Sequence, residues 1–244
     1  MLINTINCTN DEFATTLCKH MPESANINLT DMSLFDIVNR FNPKVLFIES
    51  KQISEEILHV QSKSNVKFVI ILNDFFRIKK SQRQLISKMN SINLNYYGEE
   101  NNNKWSSVCA TNQTYYAVDL SLINKNHVYS VKDIKHYNFN RFIFHDYNQE
   151  FEYYYKEKIN HDTAIFGSGW KTGECLGNIS KDSFQKLLMF SDTYIDDPSR
   201  PNNKAMLALL YGLDLETPHK YPAGNILAEH TYENRVEQLK GLLS

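Results

Sequence analysis

LFDIVNRFNPKVLFIESKQISEEILHVQSKSNVKFVIILND, residues 34–74, alternates between two periods. From Leu34 to Phe41 the apolar residues recur at helical spacing, and Asn42-Pro43 ends the pattern, because the proline ring disfavours a helical residue before it. Val45-Leu46-Phe47-Ile48 then reads as a buried strand, and Ile53 to Val60 returns to helical spacing. Val66 to Leu72 (VKFVIIL) is the strongest strand in the chain. Strands that are apolar on both faces, separated by helices, are what a parallel sheet covered on both sides requires. The expected class is therefore α/β.

The same rhythm returns downstream. Thr163-Ala164-Ile165-Phe166 reads as a strand running into Gly167-Ser168-Gly169-Trp170. Ser180 is a good N-cap for a helix over 181–190, and Thr193-Tyr194-Ile195 is the next strand. Asn203 or a near neighbour caps an apolar helix over 204–211, which Gly212 closes, and Leu213-Asp214-Leu215 begins another strand. Tyr232 to Leu243 reads as a terminal amphipathic helix. Between the two arrays lie a polar stretch at 95–104, read as a surface loop, and aromatic strand-like pieces over 107–147. A charged helix or connector follows at 149–160. The boundary between halves is placed near residue 150, giving a domain 1–150 and a domain 151–244.

Composition narrows the function. The chain has 244 residues, 42% hydrophobic and 22% charged, the proportions of an ordinary globular protein. Its abundant asparagine, isoleucine and lysine are attributed to an AT-rich coding genome and given no structural weight. A net charge of −2 does not point to a protein that holds DNA by its phosphates. The densest positive run is Arg77, Lys79, Lys80, Arg83 and Lys88, either a local nucleic-acid contact or a solvated helix face. Cys8, Cys18, Cys109 and Cys175 lie far apart without a CxxC pair, so neither a zinc site nor a disulfide framework is expected. The absence of a signal-peptide pattern and of any apolar run near the ~20 residues of a membrane helix sets the expectation at cytoplasmic, with no membrane partner.

In parallel α/β sheets ligands bind at the carboxyl ends of the strands, and three places fit. Asp74 follows VKFVIIL, where a carboxylate takes a proton from an acceptor hydroxyl or merely caps the next turn. Gly167-Ser168-Gly169 follows TAIF, where glycines admit a phosphate or sugar, or form a tight turn. Asn203 and Lys204 open the apolar helix after Arg200, a natural diphosphate site or an ordinary capped helix. His145 and Asp146 follow the strand-like Phe142-Ile143-Phe144 and fall at the same kind of position. His136 and His161 show no metal-ligand spacing, and all the histidines are read as structural.

With these residues in view, 163–217 resembles the donor-binding half of glycosyltransferases built from two facing Rossmann-like domains, the GT-B type, here reduced in size. The nearest resemblance is to the phage DNA β-glucosyltransferases, through FVIILNDFFRIKKSQ at 68–82. It implies a UDP-sugar donor whose diphosphate is held by Lys204, with Gly167, Ser168, Gly169, Arg200 and Asn203 around it. Asp74 falls on the family's catalytic base, and Arg77, Lys79, Lys80 and Arg83 lie beside it toward an acceptor. That acceptor would be a hydroxymethylated pyrimidine flipped out of double-stranded DNA, receiving glucose or another sugar such as a pentose, in the host cytoplasm. No permanently bound cofactor and no required divalent metal are implied, since no Asp-x-Asp motif is present. Two departures stand out. Leu207 occupies the position where the family has a ribose-binding Glu, and one β–α unit with an arginine-bearing loop is missing, leaving Lys171 or Arg200 to replace it. The alternatives are a bacterial GT-B enzyme acting on a glycan, protein or small molecule, and a non-catalytic nucleotide-binding module.

Overall fold

The computed structural model describes residues 4–119, 140–171 and 175–244; His136 lies outside them. The chain forms two α/β units, Met1–Tyr115 with Tyr232–Ser244, and Tyr116–Thr231.

The first unit carries strands β1 (Thr5–Asn7), β2 (Ser24–Asn26), β3 (Val45–Glu49), β4 (Lys67–Ile71), β5 (Ser91–Asn95) and β6 (Asn112–Gln113). Their order is β2-β1-β3-β4-β5-β6 and every pairing is parallel. Helices α1 (Glu12–Lys19), α2 (Leu34–Phe41), α3 (Glu55–Lys63), α4 (Lys80–Ile86) and α5 (Glu99–Ser106) connect them. The local chemistry is as the sequence dictates: Ser33 and Ser54 cap α2 and α3 through their hydroxyls, and Asn42 closes α2 in the left-handed conformation. All five residues of β3 are buried, as are the last four of β4.

The second unit has strands β7 (Arg141–Phe144), β8 (Thr163–Phe166), β9 (Thr193–Ile195) and β10 (Asp214–Glu216), ordered β10-β9-β7-β8 and again all parallel. Helices α6 (Glu152–Lys158), α7 (Lys181–Phe190), α8 (Asn203–Leu210) and α9 (Ile226–Glu229) accompany it. Counted along each unit, the first four strands lie in the same order, 2-1-3-4. The chain therefore reverses its winding direction between the first and third strand of each sheet, the position where such sheets leave a crevice.

Three expectations are corrected. The division falls at Tyr115 rather than near 150, because β7 pairs with β8 and β9 and α6 is its crossover within the second unit. Residues 99–106 are helix α5 rather than loop. The helix is anchored by Trp105, fully buried, whose Nε1 donates to the Asn73 carbonyl at 2.9 Å, a tertiary contact that overrides the poor propensity of three asparagines. The terminal helix α10 (Tyr232–Leu243) returns to the first unit, where Tyr232, Val236 and Leu239 are buried and Arg235 Nε donates to the Tyr115 carbonyl at 3.0 Å.

The asparagines also have structural weight that composition did not show. Asn7, Asn93 and Asn95 are buried, and Asn73 joins β3 to β4 by donating to Glu49 Oε2 at 3.0 Å and accepting from Ser50 Oγ at 2.9 Å. Amides that both donate and accept satisfy the polar strand ends of the first unit.

Candidate functional site

In the first unit, Asp74 lies three residues beyond the end of β4 and is the N-cap of a short 3-10 turn, Phe75–Arg77. Its Oδ1 accepts from the Phe76 amide at 3.1 Å, and its Oδ2 lies 3.6 Å from Arg77 Nε. The capping role is thus real, yet the carboxylate stays half-exposed and lines a cavity of about 260 Å³ with Phe76, Tyr97, Glu100, Asn101 and Lys104. Phe76 is 73% exposed, with Lys104 Nζ 4.0 Å over its ring. Phe76 thus borders the cavity rather than the core.

The basic run divides. Arg77, Lys79, Lys80 and Lys88 are exposed. Arg83 instead lies 4.2 Å over the Phe75 ring and donates to the Phe75 carbonyl at 3.3 Å, so its guanidinium braces the turn that holds Asp74.

In the second unit the loops after β7, β8 and β9 converge. Gly167 has φ of +129°, and a Cβ there would lie 2.1 Å from the His145 carbonyl oxygen, so only glycine lets the two loops approach. Ser168 donates through both its amide (2.8 Å) and its hydroxyl (2.7 Å) to Asp146 Oδ1, which holds that carboxyl below its ordinary value. Gly167 N donates to the Gly177 carbonyl at 3.0 Å. The glycine turn, expected to hold a phosphate, already holds an anion, and it is the chain's own Asp146. Loop-to-loop bonding uses the amides of Gly167 and Ser168, a pairing hidden from sequence reading because Asp146 is 22 residues from Ser168.

What remains for a ligand anion is α8. Its N-cap is Asn202, the neighbour of Asn203, and its side chain accepts from the Ala205 amide at 3.0 Å. Asn203 is buried in the first turn. Lys204 Nζ reaches back to donate to the Phe144 carbonyl at 3.0 Å and lies 4.1 Å over the Phe144 ring. This pins the ammonium at the carboxyl end of β7, where it interacts with Asp146 and His145. A helix N-terminus with a lysine fixed beside a strand end attracts negative charge. Arg200, on the loop before α8, is exposed. Leu207 is buried, its side chain in the core, so no residue at that position touches a ribose.

Beneath this surface lies a group that sequence reading missed. Asp196, at the end of β9, is fully buried and accepts from Asn202 Nδ2 (2.6 Å), Tyr221 Oη (2.7 Å), Thr217 Oγ1 (2.8 Å) and the Asp197 amide (2.8 Å). Burial pushes its carboxyl up to about 7, against the pull of these donors. The network ties the α8 cap to the segment after β10 and so fixes where Lys204 begins its reach. His145 is buried and His219 half-buried, and burial lowers both below the ordinary histidine value. Their ring nitrogens contact backbone carbonyls, His145 Nδ1 at Asp146 and His219 Nε2 at Asp197, which gives both structural surroundings, whereas His161 is exposed beside Asp162. All four cysteines are free thiols. Among the described residues no group of three or more His, Cys, Asp or Glu is arranged around a metal position, and no helix is long and apolar enough to cross a membrane.

No protein-family model and no curated protein sequence matches the chain. Among solved structures, it is similar to a UDP-N-acetylglucosamine 2-epimerase from Listeria monocytogenes, with 11% identity and a TM-score of 0.46 over 98% of this chain and 78% of that one. It is also similar to MnaA of S. aureus, solved in complex with UDP, with 9% identity and a TM-score of 0.47 over 97% and 78%.

Proposed function

We propose that the chain is a glycosyltransferase that takes its sugar from a nucleotide-sugar, UDP-linked as the family resemblance implies. The second unit holds the donor diphosphate at the start of α8, through Lys204 with Asn203 and Arg200. The observation that carries this reading is Lys204, whose ammonium is fixed by the Phe144 carbonyl and ring at the crevice end of the second sheet. The GSG turn acts through Asp146, which it orients toward the same strand end as an acceptor for donor hydroxyls. Because Leu207 is in the core, ribose recognition falls to groups outside α8.

The first unit takes the acceptor. Asp74 receives the proton of an acceptor hydroxyl as that oxygen attacks the anomeric carbon and the nucleoside diphosphate leaves. Exposed Arg77, Lys79 and Lys80 favour a phosphate-bearing acceptor, and a hydroxymethylated pyrimidine in DNA is the one we propose, in the cytoplasm and without a required divalent metal. A glycan, protein or small-molecule acceptor is the second reading, favoured by Arg83 being turned inward onto Phe75 and by the net charge of −2.

The test is intact-mass analysis of nucleosides from hydroxymethylcytosine-containing DNA incubated with the protein and a panel of UDP-sugars. A gain of one sugar mass that disappears in Asp74→Asn is expected. Sugar-nucleotide hydrolysis without any gain would move the acceptor to the second reading. Neither gain nor hydrolysis would leave a nucleotide-binding module without catalysis.

A further inference from the structure

The second unit has a cavity that the donor reading does not use. It measures about 400 Å³ and is lined by Tyr147, Tyr155 and Trp170, with Ile159 on its wall and Gln149, Glu152, Lys156 and Lys171 around it. The volume lies within the range of small-molecule sites. Its aromatic side chains are held in place: Trp170 Nε1 donates to the His145 carbonyl at 2.8 Å, and its ring meets Tyr155 at 4.8 Å and Tyr147 at 5.2 Å, both edge-on at 64°. Tyr155 is buried, whereas Tyr147 and Trp170 are only half-buried and border open space. Rings locked by one another at steep angles leave no parallel slot for a flat ring to enter, but they hold the half-buried Trp170 ring rigidly.

We propose that this cavity binds a saccharide, one pyranose ring lying on the Trp170 ring with Tyr147 against its edge. A sugar offers C–H groups on one face, suited to the electron-rich face of an aromatic ring, and hydroxyls around its edge that need both donors and acceptors. The cavity supplies both kinds: the Gln149 amide donates and accepts, the Glu152 carboxylate accepts, and the Lys156 and Lys171 ammonium groups donate. Lys156 is already paired with Glu152 at 2.8 Å, which leaves the carboxylate oriented rather than freely swinging. A nucleobase is the poorer match, because its in-plane edge calls for fixed partners and these side chains are long and exposed.

The protein has two tryptophans, and Trp105 is fully buried in the first unit, so ligand-dependent tryptophan fluorescence reports on Trp170. The full chain is titrated with maltose, cellobiose and N,N′-diacetylchitobiose, with uridine as the nucleobase probe and no nucleotide-sugar present. A saturable change with at least one saccharide, and none with uridine, is expected. Tyr147→Ala should weaken it about tenfold, the scale of one aromatic contact. Gln149→Ala, an exposed change that leaves folding intact by circular dichroism, should weaken it severalfold. The proposal is overturned if no saccharide saturates, if uridine alone does, or if both variants bind like the parent. Because no donor is added, failure here is distinguishable from failure of the Lys204 reading.

Discussion

Gly167 and Asp196 show how single residues set the second unit's geometry. A side chain at Gly167 would sit 2.1 Å from a backbone oxygen, which does not yield as a flexible side chain would. Gly167→Ala should therefore destabilise the protein by ~3 kcal/mol, as strained or overpacked positions do, seen as a lower Tm with the donor site lost. Asp196 predicts a pH dependence. Its carboxyl is raised in the folded state to about 7, so folding binds a proton and this group's contribution to stability is greatest in acid and lost as pH rises toward 7. His145 and His219, lowered by burial, act oppositely, their contribution being lost as pH falls below the ordinary histidine value. In denaturant titrations between pH 5 and 8, Asp196→Asn should remove the loss on the alkaline side and leave the histidine loss on the acid side. An unchanged profile would show that Asp196 is not protonated on folding. Little of this was legible in sequence: Gly167 was read as either a phosphate-admitting or a merely tight turn, without the loop it touches, and Asp196 owes its environment to residues up to 25 positions away.

At the scale of elements, the strongly periodic segments could be read directly. α2, β3, β4, α7 and β9 lie where their apolar spacing places them, and Ser180 caps α7 as expected. Among the elements missed, β1, α1 and α5 are short or rich in asparagine and owe their form to tertiary partners such as Trp105. The turn after β4 gives a prediction at this scale. Arg83→Ala should cost about 1 kcal/mol by releasing Phe75, whereas Arg77→Ala, Lys79→Ala and Lys80→Ala should leave stability unchanged. If DNA is the acceptor, those three should weaken binding with a shallower salt dependence, measured as log Kd against log salt. Equal stability effects from all four would contradict the assignment of Arg83 to the turn.

For the whole molecule, the repeated 2-1-3-4 strand order gives two crevices, one per unit. The alternation of helix and buried strand made this class legible, but the boundary was not, because a crossover helix and a linker look alike until strand pairing is known. The return of α10 to the first unit was equally hidden, since an amphipathic helix does not name the core it covers. Removing Tyr232–Ser244 should lower the stability of the first unit by several kcal/mol, given the loss of three buried apolar side chains and the buried Arg235. It should leave hydrogen-exchange protection of β7 to β9 intact. Uniform loss of protection would contradict that division.

The central claim is that the second unit binds a nucleotide-sugar through Lys204, and isothermal titration of UDP and UDP-sugars into the intact protein tests it most directly. The account predicts saturable binding that weakens about ten- to a hundredfold in Lys204→Ala, the worth of one charge-assisted contact to a phosphate, and is partly restored in Lys204→Arg. Binding unaffected by Lys204→Ala, or no heat with any nucleotide, would contradict it.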